Sequence, residues 1–183
     1  MKILGIHIGH DSSAALVVDG RIVADVAEER FARLKHYCGL PVNAIDYCLR
    51  SHQLTMDDID TIAVPSAGGV TDLNFLLDLK KGRTEKPSGQ KAVMEAVRGI
   101  LKKGARKPPV YIRKFAVPDK TEIIHVEHHL AHAASAYYTG GATGKELIIT
   151  MDGAGDGFSV CLWRGMNGRI EPLEKWPASA SLG

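Results

Sequence analysis

The sequence predicts an α/β fold: one lobe with the element order βββαβαβα over residues 1–145, followed over residues 146–183 by the first strands of a second, duplicated lobe. Three observations predict it. Short apolar runs closed by tight Xaa-Gly turns alternate with segments of helical spacing. The opening series of strand, Gly/Asp loop, strand, Xaa-Gly turn and strand returns in the same order from residue 146. The composition, 45% apolar and 24% charged over 183 residues, is that of an ordinary globular chain and excludes disordered, collagen-like and coiled-coil classes.

Taken in order, Lys2–Ile8 is a mostly apolar strand, and Gly9-His10-Asp11-Ser12-Ser13 supplies turn chemistry before a second run, Ala14–Val18. Asp19-Gly20 is a two-residue hairpin signal, because both central positions of a type I′ turn need positive φ, and Arg21–Ala27 is the third strand. The run Glu28-Glu29-Arg30 with Arg33, Lys35 and His36 reads as a solvated charged face. Pro41 opens a helix of about three turns, with Val42, Ile45 and Leu49 on one side. Asp60–Val64 is a short buried strand stopped by Pro65, Pro87–Lys103 a helix stopped by Gly104, and Ile123–Val126 another strand. The Ala-rich stretch His128–Tyr138 favours helix. Glu146–Met151, the glycine-rich Asp152–Gly157, Phe158–Trp163, the turn Asn167-Gly168 and Arg169–Leu173 then repeat the opening.

Charge and targeting signals narrow the function classes. With 23 basic and 21 acidic side chains the net charge is +2, which gives no case for bulk nucleic-acid binding. The basic stretch from Lys80 to Lys120 is interleaved by only Tyr111 and Phe115 and reads as a solvated helix with flanking loops. No run of about 20 apolar residues is present, and polar residues interrupt the amino terminus before a signal-peptide core could form, so a cytoplasmic protein with no membrane partner is expected. Cys38, Cys48 and Cys161, odd in number and widely spaced, suggest reduced thiols.

Four of the eight histidines fall between residues 125 and 132. A helix beginning near His128 places His128 and His132 four residues apart on one face, where both imidazoles can reach one metal ion, while His129 points elsewhere. The glutamate a helical metalloprotease uses as its base is missing between them. A carboxylate is wanted as third ligand, and Asp152 at the end of the next strand is the best placed; His, His and Asp suit iron, zinc or manganese. A solvated or helix-capping His pair is the alternative. The loops holding Ser12 and Ser13, and Gly153 and Gly155, each lie between two strands, where backbone N–H groups can wrap a phosphate; taken singly, either is equally an ordinary turn.

Gly9-His10-Asp11-Ser12-Ser13-Ala14-Ala15, Ala27-Glu28-Glu29-Arg30-Phe31 followed by Lys35-His36, and His128-His129-Leu130-Ala131-His132-Ala133-Ala134-Ser135-Ala136 together resemble the amino-terminal part of the NodU/CmcH carbamoyltransferase family. The resemblance spans essentially the whole chain. It implies an actin-like, duplicated ribonuclease-H-type core, similar in fold to the tRNA threonylcarbamoyltransferase proteins. It further implies an ATP-dependent reaction in which carbamoyl phosphate is converted to carbamoyl adenylate and the carbamoyl group passes to a hydroxyl of a small molecule. Carried over by position, His128, His132 and Asp152 match the family's metal ligands. His10 matches the loop histidine that would act as base or orienting group at the acceptor hydroxyl, with Asp11 in support. Against the family pattern a further metal carboxylate, most of the second lobe and a YrdC-like domain are not among these residues, so the fragment alone is expected to be inactive. Competing classes are an actin-like ATPase or kinase-type domain, and a non-catalytic binding domain with structural histidines.

Overall fold

A computed structural model describes residues 1–8, 11–65, 117–141 and 144–180. The expected helix over Pro87–Lys103 and the loop residues Gly9 and His10 lie outside the described residues.

The opening meander forms as its turn chemistry predicts. Strands β1 (Lys2–His7), β2 (Ser13–Val18) and β3 (Arg21–Ala27) pair antiparallel. Asp19 and Gly20 both take positive φ, 49° and 78°, so the connection follows the right-handed twist of the strands it joins. β4 (Thr61–Pro65) adds to β1 in parallel, and β5 (Glu122–Val126) completes a five-stranded sheet of order β3-β2-β1-β4-β5. Leu4 and Ile6 of β1, Leu16 of β2 and Ile62 of β4 are buried at its centre.

Glu29–Ala32 makes one helical turn, α1, closed by Arg33 in the left-handed region. The charged run after β3 is solvated as expected at Arg30, Arg33, Lys35 and His36, and departs from expectation at Glu28, which is 1% exposed. The cause lies in the next helix, α2 (Val42–Arg50). Its N-cap, Pro41, offers no capping side chain, so the first-turn N–H groups need an acceptor from elsewhere. The Glu28 carboxylate supplies it, accepting the Ala44 N–H at 2.8 Å and the Asn43 side-chain amide. With its end satisfied, α2 buries Val42, Ala44, Ile45, Cys48 and Leu49 against β2 and β3.

The chain divides into two compact units; among the described residues the first holds residues 1–63 and 117–124 and the second holds 64–65 and 125–180. The second unit is helix α3 (His128–Thr139) on an antiparallel meander of β6 (Glu146–Gly155), β7 (Phe158–Met166) and β8 (Arg169–Pro177). Asn167 and Gly168 take the positive φ expected of the second type I′ turn. β6 and β8 run further than their apolar residues alone suggest, to Gly155 and Pro177. Ala133 and Tyr137 of α3 pack on Ile148, Cys161 and Trp163 of the sheet. The alternate residues Leu147, Ile149 and Met151 of β6 face outward and are exposed.

Candidate metal centre

The helix start and the strand end predicted to meet do so within the second unit. His128 opens α3 and His132 follows one turn later, while Asp152 lies three residues before the end of β6 at Gly155. Nε2 of His128 lies 2.6 Å from Oδ2 of Asp152 and 3.1 Å from Nε2 of His132, which is 3.6 Å from the same oxygen. One proton can bridge two of these three atoms but not all three. A cation with ligand bonds of about 2.1 Å in tetrahedral array separates its ligand atoms by about 3.4 Å, a spacing the observed triangle brackets. The donor set therefore fits a divalent metal of the borderline class. His132 and Asp152 are the more exposed members, which leaves one side of the triangle open.

The electrostatics prepare the set for a cation. Burial lowers the His132 pKa, and the neighbouring His128 pushes it the same way, outweighing the opposing charge of Asp152, so the neutral ring that can ligate a metal is favoured. Burial alone would raise the Asp152 carboxyl. The hydrogen bond with His128 and the Gly153 N–H at 2.6 Å outweigh that effect and hold it below the usual carboxylate range.

The loop after Asp152 secures the helix that carries the histidines. Asp156 and Gly157 form its turn, both at positive φ, and Asp156 Oδ2 accepts the His128 N–H at 2.8 Å. Glu127, the N-cap, makes no side-chain capping bond, its carboxylate accepting instead from Lys175, so Asp156 caps α3 from across the unit. A Cβ built on Gly155 would lie 2.6 Å from Cγ and Nε2 of His128 and closer still to Cδ2, so the absence of a side chain at Gly155 is what leaves room for the His128 ring. A Cβ on Gly153 meets nothing within 4 Å. The sequence singled out Gly155 for a phosphate; its contact with an imidazole depends on how α3 lies on β6, which no local pattern reports.

The other predicted residues lie in the first unit. Asp11 sits at φ 59° and its carboxylate is 2.8 Å from Nδ1 of His36, itself at φ 53°. Ser12 is buried, its N–H bonds to the Tyr37 carbonyl at 3.0 Å and its carbonyl accepts the Glu28 N–H at 2.9 Å. Its Oγ has no hydrogen-bond partner among the described residues. Ser13 begins β2, opposite His7 on β1.

The family model described as the carbamoyltransferase N-terminus matches residues 2–183. The chain belongs to this carbamoyltransferase family. Within it, nodulation protein NolNO of Sinorhizobium fredii is 36% identical over 177 residues, 95% of this chain and 24% of NolNO. Protein sll1178 of Synechocystis sp. is 33% identical over 180 residues, 95% of this chain and 29% of that protein. The chain thus spans less than a third of the length of these relatives, and the matched region of NolNO is its amino-terminal part. Among solved structures, YeaZ from Pseudomonas aeruginosa is 15% identical with a TM-score of 0.44, over 97% of this chain and 68% of YeaZ. Among the described residues, no helix is long and apolar enough to cross a membrane.

Proposed function

We propose that this chain is the amino-terminal part of an ATP-dependent O-carbamoyltransferase with an actin-like core. It would move a carbamoyl group from carbamoyl phosphate, by way of carbamoyl adenylate, to a hydroxyl of a small molecule. The observation that carries the reading is the convergence of His128, His132 and Asp152 in a chain of the carbamoyltransferase family. In this reading the three residues hold iron or another divalent metal, which when bound supplies Lewis-acid stabilisation to phosphate or carbamoyl oxygens.

The remaining roles belong to the chain's own groups. In the transfer step the acceptor oxygen bonds to the carbamoyl carbon, the bond from that carbon to the adenylate oxygen breaks, and AMP leaves. The acceptor proton goes to His10, whose ordinary pKa is near working pH, with Asp11 in support. Ser12, Ser13 and the backbone at Gly153 and Gly155 would meet phosphate oxygens. The test is a double substitution, His128→Ala with His132→Ala, in the protein that carries this chain as its amino-terminal part. Loss of bound metal together with loss of carbamoyl transfer is expected; unchanged metal content with full transfer would overturn the proposal in favour of an ATPase-type domain that does not need the histidines.

A further inference from the structure

We infer that His129, Thr150 and Trp163 form a hydrogen-bonded lock that sets helix α3 in register on β6 and so positions the metal ligands; the inference rests on the metal reading above. His129 follows a ligand in sequence but points the other way and is fully buried. Its Nε2 is 3.1 Å from the Phe158 carbonyl and its Nδ1 is 3.0 Å from Oγ1 of Thr150. A carbonyl only accepts, so Nε2 carries a ring proton, and in the neutral ring Nδ1 is then a bare acceptor. Oγ1 of Thr150 already receives the Trp163 indole N–H at 3.1 Å. The single Thr150 proton therefore points to Nδ1, the nearer of its two acceptors, the Cys161 carbonyl being 3.4 Å away. The result is a directed, neutral chain: Trp163 N–H to Thr150, Thr150 O–H to His129, His129 N–H to Phe158.

This chain joins the elements that bear the ligands. His129 is adjacent to His128 in the first turn of α3, and Thr150 lies two residues before Asp152, on the same side of β6. Apolar side chains of equal volume would fill the same space without desolvating five polar groups, but they would set no axial position for the helix. Directional bonds set one. Metal–ligand distances must hold to within about 0.2 Å, a tolerance that packing of Ala133 and Tyr137 on a smooth sheet face does not by itself secure. His129, Thr150 and Trp163 are thus positioning residues that touch no metal.

The experiment titrates Zn²⁺ alone into the full chain and its variants, far below each melting temperature. Thr150→Val keeps the shape and removes the hydroxyl; it is expected to bind Zn²⁺ about 10-fold or more weakly, and Thr150→Ser to restore the affinity. Ile148→Val trims the same core, beside Trp163, while leaving all three hydrogen bonds of the lock in place, and is expected to lower the melting temperature while leaving affinity unchanged. Where Thr150→Val fails to fold, His129→Gln carries the same comparison. It can reach the Phe158 carbonyl with an amide N–H but gives up the Thr150 acceptor, and weakened binding is again expected. Wild-type affinity in whichever variant folds overturns the lock and leaves the metal centre standing. Absence of Zn²⁺ binding by the wild-type chain overturns the centre and the lock with it.

Discussion

Substituting Gly155 with alanine separates a glycine needed for space from one needed for backbone freedom. Gly155 does not take the positive φ that would bar a side chain, so the only obstacle to alanine is what its Cβ would meet. That obstacle is the His128 ring, with Cγ and Nε2 both 2.6 Å away. Ordinary carbon contacts begin at about 3.5 Å, and Cδ2 lies nearer still than Cγ and Nε2, so ring or strand must give by more than about 1 Å. That shift is more than about five times the 0.2 Å tolerance of a metal–ligand bond. If the strand yields, overpacking costs about 1–3 kcal/mol; if the ring swings aside, the fold keeps its stability and the centre loses a ligand. Either route weakens metal binding, by roughly 100-fold or more if His128 is lost, an effect at least as large as that of removing an outer partner. Zn²⁺ titration with thermal melting of the metal-free protein distinguishes the routes. Gly153→Ala, whose Cβ meets open space, is the control and is expected to bind as the wild type does. Equal affinity for Gly155→Ala and Gly153→Ala would refute the reasoning.

Three further outcomes are expected. Asp156→Ala removes the cap from the first turn of α3 and places alanine at a φ of 51°, for a combined loss of about 2 kcal/mol in urea unfolding, whereas Asp156→Asn, which tolerates that φ and keeps an acceptor, stays close to wild type. Glu28→Ala strands the Ala44 N–H and the Asn43 amide and is expected to lower stability by about 3 kcal/mol, with denaturant midpoints as the measurement. The Cys48 thiol is pushed up to about 11, first by burial and then by the charge of Asp25. At pH 8 a thiol reagent should therefore modify exposed Cys38 and spare Cys48 until the protein unfolds. Because the unfolded thiol ionises near 9 and the folded one near 11, this group's contribution to stability is complete below pH 9 and falls as pH rises through that window. Urea midpoints at pH 8 and pH 10.5 in wild type and Cys48→Ala measure it.

Much of this was legible in the sequence, for reasons that differ by residue. Asp19-Gly20 and Asn167-Gly168 announced their hairpins because a two-residue turn is decided by its own φ angles. His128 and His132 were legible because helical spacing fixes their relation, and Asp152 because it closes the next apolar strand run. Glu28 was misread for the opposite reason. Its neighbours in sequence are charged, and the group that buries it is an uncapped helix end fifteen residues further on. His129 and Gly155 carry no local signature either, since their partners are set by how α3 lies across β6 and β7.

The two faces of β6 carry a consequence for how this segment can change. Ile148, Thr150 and Asp152 alternate with Leu147, Ile149 and Met151, the first three turned to the helix and the second three to the exterior. A single-residue insertion or deletion between Ile148 and Asp152 would exchange the faces beyond it, carrying the carboxylate away from the histidines and a Met or Gly toward them. Point substitutions on the outward face leave the centre whole. The strand is therefore expected to accept replacement and to refuse changes of length, so that its residue count, more than the identity of most of its residues, decides which side chain meets the histidines.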